Sequence, residues 1–282
     1  MRNESTFWQK LFAECMGTAF LVLFGAGAVT ATFVMGKTHG FTSEADLGIV
    51  GFSFAIVIAA VIYAVGRISG GHLNPAITVG LAVRQHIDWQ TAAGYIVAQF
   101  LGGFIGALGI AVIFGGTAAT GGILGVASYQ APTSTYQAFI AEAIGTFVLV
   151  LVVYGLAVDR EAPTGWAGLI IGLVVGGVIM VIGPVTGGSI NPARAFGPML
   201  AQVALGGPDL LGQFWLYLVA PLVGGIVAAF TYEFLTARVR QPTAIPAGPE
   251  VSDREERRTA EDIERERRAR RPEEDIGGAA HA

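Results

Sequence analysis

The first 240 residues of this 282-residue chain contain few charged side chains. Of the 17 Lys and Arg and 21 Asp and Glu residues in the whole chain, eight and eleven respectively lie in residues 241–282. The chain is nevertheless 53% hydrophobic, with a mean hydropathy of +0.60. A stretch so poor in charge lacks the polar surface of an ordinary soluble domain. We therefore predict a membrane-embedded protein with a charged tail.

Cysteine is also nearly absent, since Cys15 is the only one. A single cysteine excludes an intrachain disulfide and leaves no Cys-based metal spacing. The apolar part of the chain contains no nucleophile–base arrangement and no basic patch. We expect no metal, no cofactor, no nucleic-acid partner and no enzymatic activity.

Long apolar runs are present instead. A bilayer core of about 30 Å requires about 20 apolar residues per helix. Six runs approach or exceed that length, at about residues 8–33, 47–66, 90–114, 136–157, 165–184 and 211–236. Two shorter apolar pieces, Ala76–Val83 and one ending near residue 201, suffice for only half a crossing. The pattern predicts an all-α membrane protein with six transmembrane helices and two re-entrant half-helices.

Each shorter piece follows a Gly-rich motif, and the two motifs are nearly identical. They read Ser69-Gly70-Gly71-His72-Leu73-Asn74-Pro75-Ala76 and Thr186-Gly187-Gly188-Ser189-Ile190-Asn191-Pro192-Ala193. Asn is a preferred N-cap, and Pro is well suited to the first helical turn, so each motif predicts a helix start. Two copies with the same offsets indicate an internal duplication.

The duplication extends into the spans, because Ala13-Glu14-Cys15-Met16-Gly17-Thr18 matches Ala141-Glu142-Ala143-Ile144-Gly145-Thr146. Each half, about 8–114 and 136–236, therefore holds three spans and one half-helix. Since three is odd, the second half enters the membrane from the opposite side, which makes an inverted 3+3 repeat. We predict one domain over 8–236, preceded by a short segment, 1–7.

Two half-helices that enter from opposite faces would meet near the membrane midplane. Irregular backbone survives there only when it is buried in protein or lines a wet cavity. Each helix N-terminus carries about half a positive charge, so the pair repels cations. The amides of Asn74 and Asn191 offer donors, and the Gly-rich segments offer backbone carbonyls as acceptors, from Gly70, Gly71, His72, Gly187, Gly188 and Ser189. This arrangement suits a single file of water or small hydroxylated solutes and suits protons poorly.

Three charged residues fall within the apolar domain at informative places. Arg194 follows Asn191 by three residues, which puts both on one helix face, and we interpret it as a pore-facing donor rather than a snorkelling side chain. Glu14 and Glu142 occupy equivalent places in the two halves. We expect them to accept hydrogen bonds from backbone N–H groups of the two re-entrant loops, and the alternative is a proton relay.

These motifs, together with the repeated Ala-Glu-x-x-Gly-Thr, resemble the aquaporin (major intrinsic protein) family over about residues 8–236. The resemblance implies a right-handed helical bundle, usually a homotetramer with one pore per subunit. It also implies a constriction, or selectivity filter, at Phe54, Ile179, Gly188 and Arg194. Strict water channels of the family often have His where this chain has Ile179, so the resemblance implies a wider and more apolar filter.

Two further positions separate water channels from glycerol channels in that family. Glycerol channels tend to have Asp directly after the filter Arg, where this chain has Ala195, and to lack an aromatic pair such as Phe214-Trp215. We therefore expect a water channel with a relaxed filter, compatible with ammonia, hydrogen peroxide or small polyols. The alternatives are a glycerol or small-solute facilitator, and a proton-coupled secondary transporter that uses Glu14 or Glu142.

The distribution of basic residues predicts the orientation in the membrane. Arg and Lys concentrate near the N-terminus, in the loop after the second span and after the sixth span, at Arg2, Lys10, Arg67, Arg84, Arg238 and Arg240. By the positive-inside rule, both termini are expected in the cytoplasm of a multi-pass protein of the cell membrane. The tail over residues 237–282 has almost no apolar side chains, so we expect it to be disordered or marginally helical.

Overall fold

Alternating apolar runs and helix caps give an all-helical structure. The computed structural model describes residues 5–39, 44–115, 118, 120–237 and 262–266, and no β-strand occurs among them. The helices are Phe7–Phe20, Gly27–His39, Glu44–Ser69, Pro75–Ala82, Trp89–Phe114, Thr135–Val153, Ala167–Thr186, Pro192–Ala204 and Phe214–Thr236. Wider π-helical turns cover Leu21–Ala26 and Tyr154–Val158, and a short 3₁₀ turn, Leu211–Gln213, precedes the last helix.

Six of these helical stretches are long and apolar enough to cross a bilayer. They are Phe7–Gly36, Asp46–Ser69, Trp89–Phe114, Thr135–Val158, Ala167–Thr186 and Leu211–Thr236, called the first to sixth spans below. The predicted six-span architecture is therefore confirmed, with boundaries that differ by a few residues from those expected. Pro75–Ala82 and Pro192–Ala204 are the first and second half-helices, and the second runs three residues beyond the expected end near 201.

The two halves begin with the same local device. Thr6 caps the first span by accepting a hydrogen bond from the N–H of Gln9, and the Gln9 side chain accepts one from the N–H of Thr6. Ser134 and Gln137 form the same reciprocal pair at the start of the fourth span. Such a capping box satisfies two N–H groups that a helix end leaves free. The duplication thus extends to the helix starts.

Asp88 caps the third span outside the apolar region, where its carboxylate accepts a hydrogen bond from the N–H of Thr91 at 2.8 Å. Hydrogen bonds from Thr91 lower the pKa of the Asp88 carboxyl, because they stabilise its charged form.

The spans pack as pairs that repeat between the halves. The first span lies against the third, the fourth against the sixth, and the second against the fifth. Glycines permit these close approaches: a Cβ at Gly102 would overlap the Cys15 carbonyl, and a Cβ at Gly224 would overlap the Ala143 carbonyl. Small residues at such crossings are the usual means of packing helices in lipid, where hydrophobic burial between helices contributes little.

The charged tail forms a unit separate from the helical domain by its internal contacts, Ala237–Ala282. Within this tail the structure describes Ala237 and residues 262–266, and only 262–266 are helical. Most of the tail, and with it the prediction that it is disordered or marginally helical, lies outside the described residues. The basic residues Arg2, Arg238 and Arg240, used for the orientation, lie outside them too.

The crossing at Gly102 generates a prediction for stability. We expect Gly102→Ala to lower the free energy of unfolding by about 1–3 kcal/mol, the usual cost of overpacking, because the methyl group would push the first and third spans apart. The measurement is the thermal unfolding midpoint in detergent. Gly177→Ala is the matched control, since a Cβ there meets nothing within 4 Å. Equal midpoints for the two variants would contradict this account of the crossing.

Candidate functional site

The first re-entrant loop folds around the carboxylate of Glu14, which lies fully buried within the first span. The carboxylate accepts hydrogen bonds from the Ser69 hydroxyl at 2.6 Å, from the N–H of His72 at 3.0 Å and from the N–H of Leu73 at 2.7 Å. The Ser69 hydroxyl oxygen also accepts from the N–H of Gly71 at 3.1 Å. Backbone donors that would otherwise be unsatisfied in the bilayer therefore converge on one anion.

The second loop repeats this network around Glu142, which is also fully buried. Glu142 accepts from the Thr186 hydroxyl at 2.6 Å, from the N–H of Ser189 at 2.9 Å and from the N–H of Ile190 at 2.6 Å. The N–H of Gly188 donates to the Thr186 hydroxyl at 3.1 Å. Hydrogen bonds to a charged acceptor are about twice as strong as neutral ones, so we expect each carboxylate to stabilise its loop.

Two buried tyrosines donate hydrogen bonds to the first residues of the loops. The Tyr95 hydroxyl donates to the Ser69 carbonyl at 2.7 Å, and the Tyr217 hydroxyl donates to the Thr186 carbonyl at 2.8 Å. No motif in the sequence singled out this pair. Their positions in the third and sixth spans repeat with the duplication, and that repetition was the signal available.

The two loop tips meet and bond to each other. The Asn74 amide nitrogen donates to the Ile190 carbonyl at 2.9 Å, and the Asn191 amide nitrogen donates to the Leu73 carbonyl at 2.8 Å. Leu73 and Ile190 adopt left-handed backbone conformations, with φ of 54° and 45°. This exchange ties the two halves together at one point. Because an amide NH₂ has two N–H donors, each Asn keeps one for a further partner.

The amide oxygens of the same residues cap the half-helices. Asn74 Oδ1 accepts from the N–H of Ala76 at 2.8 Å, and Asn191 Oδ1 accepts from the N–H groups of Ala193 and Arg194 at 3.0 and 3.2 Å. Pro75 and Pro192 occupy the first helical positions. Capping therefore fixes the orientation of each amide, with the nitrogen directed away from the helix it caps.

A cavity of about 350 Å³ passes this junction. The polar part of its lining is made by Gly70, Gly71, His72, Asn74, His86, Ser189, Asn191 and Arg194. Most of the rest is apolar, including Leu21, Phe54, Ile58, Ile62, Ile77, Leu81, Leu149, Val153, Ile171 and Val175. The cavity thus offers a few hydrogen-bonding groups within a mostly apolar lining, which suits a narrow file of small polar molecules.

Arg194 is the charged residue of this lining, and it is 2% exposed. Its Nη1 donates to the Gly125 carbonyl at 2.8 Å, and its guanidinium lies over the Phe54 ring, 5.2 Å from the ring centroid. Its Nε has no hydrogen-bond partner among the described residues. The sequence analysis missed Gly125, which lies in the uncharged segment between the third and fourth spans and gave no local signal.

Ile179 and Gly188, the remaining filter candidates, lie next to each other. A Cβ at Gly188 would lie 3.2 Å from the Ile179 Cα, and Ile179 is 1% exposed. Neither they nor Gly187 contribute to the lining of the 350 Å³ cavity. Gly187 ends the fifth span in a left-handed conformation, and Ala76 and Ala193 lie buried in the half-helices. The structure thus brings Phe54 and Arg194 together at the cavity, with Ile179 and Gly188 outside its lining.

The first half also contains a polar network that the second lacks. Gln99 Nε2 donates to Glu14 at 2.8 Å and to the Thr78 hydroxyl at 3.0 Å, and that hydroxyl lies 3.1 Å from His72 Nδ1. At the offsets of the other matched pairs, the second half has Pro221 and Ala195. Gln99 was not among the predicted site residues, although a glutamine inside an apolar span was itself a signal.

Six spans around two opposed half-helices, with a polar track through their junction, define a channel-type membrane bundle. A profile of the Major intrinsic protein family matches residues 1–232. The chain belongs to this family, as its sequence motifs indicated.

Individual relatives agree with this placement. The chain is 43% identical over 241 residues to the probable aquaporin AqpM of Archaeoglobus fulgidus, covering 82% of this chain and 98% of that protein. It is 41% identical over 240 residues to aquaporin AqpM of Methanothermobacter thermautotrophicus, covering 81% and 98%. Its fold matches the X-ray structure of the aquaglyceroporin from Plasmodium falciparum with a TM-score of 0.72 at 26% identity, covering 83% of this chain and 98% of that one.

The carboxylate anchors generate a prediction. In Glu142→Gln an NH₂ group replaces one acceptor oxygen among three converging donors, so we expect a loss of about 1–3 kcal/mol, the usual cost of leaving buried polar groups unpaired. The thermal unfolding midpoint in detergent should fall. Glu161→Gln is the control, because that side chain is exposed. A midpoint for Glu142→Gln as high as that of the control would show that the carboxylate is not needed to hold the loop.

Proposed function

We propose that the chain is a passive channel whose main permeant is water and whose filter also admits small neutral solutes. The junction of Asn74 and Asn191 carries this proposal. Each amide donates one N–H to the opposite loop and has a second N–H available. The cavity beside these amides is also lined by Gly70, Gly71, His72 and Ser189. A water at the junction would accept from both amides, which leaves its own hydrogens directed outward along the track.

This orientation opposes proton transfer. A water that accepts two fixed hydrogen bonds cannot readily accept a third from a neighbour, so a proton relay is interrupted at the junction. Cations meet two further barriers there: the partial positive charges of two helix N-termini and the buried guanidinium of Arg194. We therefore propose that ions and protons are excluded while neutral molecules pass.

The filter supports the admission of solutes larger than water. Ile179 and Gly188 lie outside the lining of the cavity and add no donor to it, and most of the lining is apolar. A solute in such a filter has to form fewer hydrogen bonds than in a filter with two polar walls. We therefore propose ammonia, hydrogen peroxide and small polyols as secondary permeants. A glycerol facilitator is the second candidate, favoured by the same mostly apolar lining and by the likeness to a protein described as an aquaglyceroporin.

A proton-coupled transporter would need a carboxylate that gains and loses protons during transport. Glu14 accepts hydrogen bonds from Ser69, His72, Leu73 and Gln99, so both of its oxygens are engaged by the donors that fold the loop. A carboxylate that exchanged protons during transport would have to give up some of these hydrogen bonds in each cycle. The contacts therefore favour a structural role for Glu14, and the parallel contacts favour the same role for Glu142.

We also propose that the protein acts in the cell membrane as a homotetramer with both termini in the cytoplasm. The excess of basic residues on one side supports the orientation. Large apolar side chains exposed around the bundle, such as Phe12, Ile56, Val112 and Phe234, support contact with lipid or with neighbouring subunits. Chemical cross-linking in native membranes tests the assembly, with a four-subunit limit as the expected result.

Transport itself is tested by stopped-flow light scattering of proteoliposomes. Under a sucrose gradient, we expect vesicles that contain the protein to shrink faster than empty vesicles, at a rate independent of any imposed pH gradient. Subsequent glycerol and urea gradients then rank the secondary permeants. Shrinkage no faster than in empty vesicles would refute the channel. Dependence of the rate on the pH gradient would favour the transporter.

Mercury provides a second test of the track. Cys15 is the only thiol, it is partly buried, and it does not line the cavity. We therefore expect mercuric ions to leave the water permeability of these vesicles unchanged, and Cys15→Ser to behave like the wild type. Block by mercury that disappears in Cys15→Ser would place the permeation path next to Cys15 and contradict the proposed track.

A further inference from the structure

Gly25 lies in the first span, within the π-helical turn Leu21–Ala26, and is buried. A Cβ built on it would overlap Cδ1 and Cε1 of the Phe54 ring and would lie 2.8 Å from Cζ. We propose that Gly25 is a specificity-determining position: its missing side chain seats the edge of the Phe54 ring and so sets how far the ring reaches into the passage. This inference rests on the proposed channel function.

The Phe54 ring has little freedom elsewhere. It is 2% exposed, and its face lies under the guanidinium of Arg194, at 5.2 Å from centroid to Cζ. Its neighbour Ser53 donates a hydrogen bond to the Phe24 carbonyl at 2.8 Å. That bond joins the first and second spans at residues adjacent to both Gly25 and Phe54. The two spans are therefore held together at the place where the ring edge meets the glycine.

A methyl group at position 25 would have to be accommodated by the ring. Non-bonded carbon atoms rest about 3.5–4.0 Å apart, so the overlapping ring atoms would have to move by about 1 Å. Close-packed interiors do not absorb such a shift evenly. Because the Ser53 bond resists separation of the two spans, the open direction for the ring is the cavity that it already lines. The cavity beside the ring becomes narrower.

Gly27 supplies a matched control on the same span. It is buried like Gly25, and its Cβ would lie 3.5 Å from Cγ1 of Ile110, an ordinary contact that does not involve Phe54. Gly27→Ala therefore adds the same methyl group, with the same change in backbone freedom, two residues away from the filter aromatic.

The experiment compares glycerol and water permeability of proteoliposomes containing wild type, Gly25→Ala or Gly27→Ala, normalised to the protein incorporated. We expect Gly25→Ala to lower the glycerol-to-water permeability ratio by about tenfold, the scale on which one methyl group changes discrimination in an apolar pocket. Gly27→Ala should keep the wild-type ratio. If the wild type excludes glycerol, water is the probe, and its permeability should fall in Gly25→Ala alone.

A double-mutant cycle separates this role from a general packing effect. Phe54→Ala removes all the ring atoms that the new methyl group would meet, so Gly25→Ala should have no effect on solute selectivity when added to Phe54→Ala. An unchanged or raised ratio in Gly25→Ala, or an equal effect with and without the ring, would overturn the inference. If the proposed channel function itself were wrong, the wild type would show no water permeability above that of empty vesicles. That result differs from a wild type that conducts water and a Gly25→Ala variant with an unchanged ratio.

Discussion

The structure depends on satisfying irregular backbone inside a bilayer. Each re-entrant loop places N–H groups at a depth where water is scarce, and an unpaired group there costs several kcal/mol. Glu14 and Glu142 meet this demand with one carboxylate per loop, each accepting two backbone N–H groups and one hydroxyl. A buried anion is itself costly, but these donors compensate it. We therefore expect each loop to depend on its carboxylate for stability.

The hydrogen-bonded loops determine how the two asparagines are placed at the centre of the molecule. With each tip fixed, Leu73 and Ile190 present their carbonyls to the asparagine of the opposite loop, and the exchange holds the two halves in register. The asparagines bond to protein with the capping oxygen and with one N–H. The contacts between and within the loops leave only the second N–H of each amide beside the cavity. The proposed role of these amides in permeation therefore follows from how the two loops are closed.

Much of this architecture was predictable from sequence because duplication repeats local signals. Apolar length fixed the six spans, and two copies of Asn-Pro after Gly-Gly marked the half-helices; the structure confirms both. The equal offsets of Glu14 and Glu142 singled out two carboxylates, whose role in loop support stays a prediction. Gly125, Gln99 and Gly25 could not be predicted as functional residues from the sequence. Their contacts are with residues distant in the chain, and none of the three belongs to a repeated motif.

The most direct test of the central claim is an experimental structure of the protein in lipid, at a resolution that shows ordered water. The account predicts a continuous file of water through the bundle, with one molecule within hydrogen-bond distance of the amide nitrogens of both Asn74 and Asn191. A map in which those nitrogens lie apart, or are sealed from any continuous file of water, would contradict it.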